Sequence, residues 1–468
     1  MKFLLSIIIL LIPVAGFAQP LWMVRNGEVE IDQILLGEVL SKRSESFSLP
    51  VNGRDYAIAV ELVSAPNLGV TSLRGGVEGQ AETFFLLCQT AAGATVAFFQ
   101  LGDGAAYRLG HTSGRLDLRE VDYKTLGPCA GALTPEDVSR GRQVDRGPSR
   151  AVADDGSRHD ILVAYTPAAE TFMGGWDFIR AEAQLAVDAA NLAYDNSNIT
   201  SQLRLVHIMD TDYDEDTAWS YTDHVEYLWY PNDGYMDDVL STREIVGADF
   251  VSVLIDGRDS LGNVPTCGAA PTMGPGMDNA DFEDYALSIV SVQCATVQWS
   301  LAHEVGHNRG CAHNREDSGN DGAYTFSFGH RFWGADNAGY GTVMSYDNDA
   351  GEYTRIPYFS NPDVDYEQVP TGVAPGLAGE AHNALTHENT AAVCAAFRGE
   401  RTFVQFGWEF FSNGLVLFPY PTIGDAIADS REGGIIAIKN DNPGFIGILV
   451  DQRTYVHSGE GNTVLGGQ

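Results

Sequence analysis

The run VQWSLAHEVGHNRGCAH, Val297 to His313, decides how this chain is read. The apolar residues ahead of it suit a helix, and on a helix two histidines four apart stand one turn above each other on the same side. His303 and His307 have that spacing, and Glu304 follows His303 directly. Gly310 lies three residues beyond His307, where a residue free to take positive φ ends the helix and turns the chain. His313, three further on, then swings back as a third nitrogen. Three converging nitrogens with a fourth position left for water form the ligand set of one catalytic Zn2+ ion. Glu304 can reach such a water without ligating the metal, which is the position of a general base. Chance supplies HExxH about 0.02 times in a chain of this size, and the added glycine and third histidine lower that about a thousandfold.

The remainder of the chain sets the context. At 468 residues two or three domains are expected. Residues 1–18 read as a secretory signal peptide. Met1 and Lys2 are followed by an apolar run from Phe3 to Ile12, and Gly16-Phe17-Ala18 sets small residues at the cut. The apolar run is too short to span a bilayer, so no membrane insertion is expected and the product is secreted. A net charge of −35 repels nucleic acid and anionic lipid and argues against both as partners; it fits an extracellular protein kept soluble by its charge, or a salt-adapted surface with no functional meaning. Protein or peptide substrates and a monomeric enzyme are expected.

Residues 19–152 read as a small all-β domain and a linker. The runs YAIAVELV (56–63), ETFFLLCQT (82–90), ATVAFFQLG (94–102) and AAYRLGHTS (105–113) are strand-length and bounded by turn residues. Residues 133–158 hold five arginines and several breakers, an exposed linker open to processing. Residues 153–398 read as α/β, or α+β, with a twisted mixed sheet and an active-site helix. Strands DILVAY, LRLVHIM, DFVSVLID and ALSIVSVQ alternate with a helix opened by Thr166-Pro167, a helical stretch around YMDDVLSTREIV, and the helix VQWSLAHEVGHNRG. HENTAAVCAAFR closes that domain. Residues 399–468 are β-rich with one short helix, of unknown role, and weakly resemble the first coils of right-handed parallel β-helices.

An even set of six cysteines in an exported chain favours disulfides. Proximity along the chain suggests Cys267 with Cys294 and Cys311 with Cys394, leaving Cys88 with Cys129. A Cys311–Cys394 bridge would tie the loop carrying His313 to the closing helix.

HEVGHNRGCAH resembles the HExxHxxGxxH signature of the metzincin zinc peptidases, and TVMSY (342–346) resembles their Met-turn. Likeness to bacterial reprolysin (adamalysin) peptidases extends through DILVAYTPAA, FSFGHRFWG and IPYFSNP, over roughly residues 159–398. SLRGGVEG with FFLLCQ and AAYRLG is similar to a reprolysin-type propeptide. The resemblance implies zinc held by His303, His307 and His313, Met344 as an apolar floor, and Glu304 as the catalytic base of an endopeptidase made as a latent zymogen. Asn314 stands where reprolysins usually carry aspartate. Tyr346 is more like the tyrosine of astacins and serralysins, whose phenol would stabilise an oxyanion; a buried aromatic bonded elsewhere is the other reading. Cys129 in LGPCAG is open to two readings, a thiolate blocking the zinc or the disulfide with Cys88.

DTDYDED (210–216) fails the EF-hand test, because Glu215 stands at position six and Tyr221 at position twelve. Structural Ca2+ therefore has no support in the spacing. Two other functions remain on the same scaffold. A non-catalytic binding or adhesion protein would cleave nothing, and an amidase acting on cell-wall peptides would differ in its products.

Overall fold

The computed structural model describes residues 19–142 except 26–27, 103, 113–114 and 132. It also describes 155–406 except 278, 320 and 348–350, then 412–430, 435–439, 445–449 and 455–456. The signal-peptide reading of 1–18 and most of the processing linker lie outside these residues.

A strand pair, Trp22–Arg25 with Glu28–Ile31, and the helix Gln33–Leu40 come first. Seven strands then form an antiparallel meander in sequence order. They are β1 (Ser46–Val51), β2 (Arg54–Val63), β3 (Val70–Val77), β4 (Phe84–Thr90), β5 (Thr95–Gln100), β6 (Ala106–Thr112) and β7 (Arg115–Glu120). Side chains alternate across a strand, so the unbroken apolar run FFLLC of β4 demands cover on both faces. Phe85, Leu87 and Phe99 pack with Trp22, Leu36 and Phe47 on one face. Phe84, Leu86, Cys88 and Phe98 face the other way and join the core of the second domain.

That domain centres on a five-stranded sheet. Its strands are β8 (Arg158–Tyr165), β9 (Gln202–Asp210), β10 (Phe250–Ile255), β11 (Gly268–Ala269) and β12 (Leu287–Ser291), in the order β9-β8-β10-β12-β11. The first four strands are parallel, with Val163 beside Ile208 and Ser252, and Val253 beside Ile289. The short edge strand β11 runs antiparallel to β12. The chain is thus mixed α/β. Helices cover the sheet: α1 (Pro167–Met173), α2 (Trp176–Asn196), α3 (Tyr221–Trp229), α4 (Asp237–Val246), α5 (Ser300–Asn308) and α6 (Asn383–Ala395).

Two helix readings need correction. The helix opened at Thr166 is two helices, because Gly174 and Gly175 take φ of 90° and 114° and break it. The active-site helix begins at Ser300, later than expected, because Trp299 is left-handed at φ 57° and its indole is drawn aside against Phe84 and Phe98.

The cysteine pairing is also corrected. Cys267–Cys294 is a disulfide, but Cys88, Cys129, Cys311 and Cys394 are free and buried. The Cys88 thiol donates to Asp188 of α2 (3.2 Å), on the face of β4 that meets the second domain. Cys129 is drawn elsewhere, into the cleft described below. The Cys311 thiol lies against the Asn383 carbonyl (3.9 Å) at the start of α6. Cys394, further along α6, is likewise a free thiol, so the bridge expected between the two is not formed.

In the tail, Arg401–Val404 pairs in parallel with Ile435–Lys439, which pairs antiparallel with Phe445–Leu449. Antiparallel pairing departs from the all-parallel coils of a β-helix. Phe403, Leu415, Val416 and Ala437 pack into the core of the second domain. No helix among the described residues is long and apolar enough to cross a membrane.

Candidate active site

α5 positions His303, Glu304 and His307, all fully buried. The helix ends at Asn308, and Gly310, with φ of 85°, turns the chain back so that Ala312–Asn314 pairs with Phe328–Gly329. That turn brings His313 Nε2 to 3.1 Å from His303 Nε2 and 3.0 Å from His307 Nε2. A Cβ at residue 310 would lie 2.6 Å from Ala323 Cβ, on top of the backbone strain. Gly310→Ala is expected to cost about 1–3 kcal/mol and to displace His313. Competition with a zinc-sensitive dye should show weaker metal retention, and unchanged retention would refute this role for the turn.

The tautomers follow from the partners. His303 Nδ1 lies 2.8 Å from the Val343 carbonyl and His307 Nδ1 2.8 Å from the Cys311 carbonyl. A carbonyl only accepts, so both Nδ1 atoms carry the proton and both Nε2 atoms present lone pairs. Those lone pairs converge on His313 Nε2, which has at most one proton to donate. Such a cluster is repulsive without a cation. Nitrogens bound tetrahedrally to one zinc stand about 3.3 Å apart, close to the spacing seen here. Burial holds His303 and His313 well below the usual imidazole pKa and His307 at about 4, so the rings stay neutral as ligands must. The residues fit zinc, and the same three histidines form a metal-competent group by the proximity of their donor atoms.

Glu304 is fully buried beside the three histidines. Both its oxygens are buried without a hydrogen bond of normal geometry, the Cys129 thiol lying beside them. Burial raises its pKa from 4.5 to about 8. The carboxyl packs on Gly268 of β11, where an added Cβ would come within 2.6 Å of Oε1. Met344 lies below the helix: a Cβ on Gly306 would meet its sulfur at 2.6 Å. Asn314 accepts from the Tyr346 amide (3.0 Å) and donates to Glu316 and Asp317, so it braces the turn that carries Met344.

Motif reading missed what fills the cleft. Residues 125–131 and Leu133 run parallel to the edge 264–272 as an added strand. Gly127 N donates to Val264 O (2.7 Å), Cys267 N to Pro128 O (2.9 Å), Ala130 N to Gly268 O (2.7 Å) and Thr272 N to Leu133 O (2.8 Å). Gly127 suits this closeness, since a Cβ there would strike the Pro265 carbonyl at 2.1 Å. The ladder sets Cys129 Sγ within 4.8 Å of donor atoms of both His303 and Glu304. Tyr346 also faces this strand: its hydroxyl donates to the Cys129 carbonyl (2.9 Å) and the Ala130 carbonyl (2.8 Å), with its ring 4.0 Å from that of His313. Backbone pairing gives no residue-type signal, which is why the sequence hid it. The cysteine in LGPCAG was the only clue.

The acidic run 210–216 is a hydrogen-bonded turn. Asp214 caps it by accepting from Asp216 N, and Glu215 accepts from the amides of Asp256 and Gly257.

The comparisons with known proteins agree with this geometry. Residues 156–360 match metallo-peptidase family M12, through a reprolysin profile. A peptidyl-Asp metalloendopeptidase of Stenotrophomonas maltophilia is 30% identical over 377 residues, 80% of this chain and 84% of the relative. A second strain of that species gives the same coverage, and the enzyme of the same name from Xanthomonas campestris pv. campestris is 32% identical over 63% of this chain and 66% of its own length. Family, coverage and the three-histidine cluster agree, and the chain belongs to the reprolysin-like zinc metallopeptidases of family M12, as a metalloendopeptidase acting on proteins or peptides.

Proposed function

We propose that this protein is a secreted, monomeric endopeptidase, made as a latent proenzyme and directed to aspartate in its protein substrates, with Glu304 as general base. The observation that carries the reading is the single buried cluster of three converging imidazole nitrogens, a carboxyl and the Cys129 thiol at one cleft. The aspartate preference is taken from the names of the relatives. Export rests on the basic, apolar and small-residue pattern over 1–18, and the charge of −35 disfavours nucleic acid as a partner.

His303, His307 and His313 would hold the zinc, which when bound polarises the scissile carbonyl and acidifies a water. Glu304 takes one proton from that water as the oxygen attacks the carbonyl carbon. The same carboxyl delivers the proton to the amide nitrogen as the C–N bond breaks, leaving a new carboxyl and an amine. Tyr346, released from the Cys129 and Ala130 carbonyls, is placed to donate to the oxyanion.

In the latent form residues 125–131 and Leu133 would block the cleft, with the Cys129 thiol, beside His303 and Glu304, serving as a further ligand to the metal. Burial and the Glu304 carboxylate push the Cys129 thiol well above its usual pKa in the metal-free site. The thiolate is therefore favoured only with a cation beside it. The β1–β7 sheet holds this strand in place. Arg108 pairs with buried Glu182 of α2 (3.0 Å), Glu182 accepts from Thr296 (2.7 Å), and Phe84 and Phe98 pack on Trp299 at the head of α5.

Casein hydrolysis by the processed protein, with and without a zinc chelator, tests the core of this reading. Activity should vanish with chelator and return with added Zn2+. Cleavage that survives chelation would refute it.

A further inference from the structure

Beside the site lies a cation, Arg355, that has no carboxylate partner among the described residues. Arg355 ends the short strand Tyr353–Arg355, just past the Met344 turn. Its guanidinium donates through Nε and Nη2 to the Ser345 carbonyl (3.2 and 2.8 Å) and through Nη1 to the Gln298 carbonyl (2.9 Å). Ser345 lies in the turn under the histidines and Gln298 in the loop entering α5, so the charge is clamped between them. A guanidinium has five N–H donors in a fixed fork. Three bonds leave one N–H on each terminal nitrogen.

The two arginines on neighbouring segments have carboxylate partners: Arg315 pairs with Glu380, and Arg331 with Glu316 and Asp317. Among the described residues no ion pair involves Arg355, although the chain has 63 acidic residues against 28 basic ones. The side chain is partly exposed, and its charge acts on Cys129, His303, Glu304, His313 and Tyr346, the groups around the reacting centre. The strand lying in the cleft reads TLGPCAG over 125–131 and offers no carboxylate. A partly desolvated cation whose partners among the described residues are carbonyls is costly until a negative charge joins it.

We propose that Arg355 is the specificity-determining residue, binding the side-chain carboxylate of a substrate aspartate next to the scissile bond through its two remaining N–H groups. This rests on the reading of the chain as an aspartate-directed endopeptidase and adds the group that recognises the aspartate. Two parallel N–H···O bonds to one carboxylate are available to a guanidinium and not to an ammonium. Asparagine has the shape of aspartate without the charge, so it measures the contribution of that pair.

The test uses processed enzyme and peptides with one cleavable bond, differing only in Asp, Asn or Lys on either side of it. Wild type should favour Asp over Asn in kcat/KM by on the order of 100-fold, the size expected of a charge-assisted pair shielded from water. R355A should bring the ratio close to one, R355K should keep part of it, and R355E should reverse the order towards Lys. A brace that only holds Ser345 and Gln298 would lower every peptide alike and leave the ratio unmoved. If wild type shows no aspartate preference, the aspartate-directed reading fails and this assignment with it. If wild type prefers aspartate and both R355A and R355E keep the ratio, the assignment alone fails.

Discussion

Glu304→Gln should lower kcat/KM on casein or a peptide substrate by about 10³- to 10⁴-fold while zinc content stays at one per chain, which is the upper range for removal of a positioned general base. Glutamine has the size of the carboxyl that packs on Gly268, so the cleft keeps its shape. It lacks only the capacity to accept and return a proton. Stability separates this from a structural role. In the metal-free protein burial raises the Glu304 pKa from 4.5 to about 8. The unfolded chain therefore releases that proton more readily than the folded one, and stability is lost as pH rises from about 4.5 to about 8. Metal-free Glu304→Gln has no such loss and should melt higher than metal-free wild type at pH 8. Retained turnover in this variant would remove Glu304 from the mechanism, whatever its stability.

Cys129→Ser should convert the unprocessed chain from an inert protein to one with substantial activity, a rise on the order of 100-fold. A serine hydroxyl stays neutral at pH 7 and is a poor substitute for a thiolate beside three neutral imidazoles. The backbone ladder from Gly127 to Leu133 remains, so the strand still competes with substrate and activity should fall short of that of the processed enzyme. Cys88→Ser is the matched control. Its sulfur sits against Asp188 between β4 and α2, away from the cleft, and that variant should stay latent. The two variants compared by casein hydrolysis before linker cleavage give the answer. Latency lost in both, or in neither, would separate Cys129 from the block.

Much of the site was legible because its parts lie close along the chain. A helical period of 3.6 puts His303 and His307 on one side, and a glycine at 310 announces the turn that returns His313. Side-chain chemistry then limits what three imidazoles and a carboxyl can do together. The disulfide between Cys267 and Cys294, 27 residues apart, was likewise within reach of proximity. Proximity failed for the other four cysteines. Cys311 and Cys394 remain separate free thiols, and Cys129 is carried off by hydrogen bonds of Pro128 and Ala130 to a strand more than a hundred residues away.

The division follows the range of the forces involved. Local backbone geometry and the types of side chain are written in short runs of residues, and these were enough to predict a helix at His303–His307, the turn at Gly310 and a three-histidine cluster with a carboxyl beside it. Parallel pairing of 126–131 and Leu133 along the edge of the sheet depends on backbone groups that nearly every residue carries, so it became visible only in the folded chain. The same holds for Arg355. An arginine is ordinary in sequence, and it becomes a candidate reader of aspartate only because folding clamps it between the Ser345 and Gln298 carbonyls, with no ion pair among the described residues.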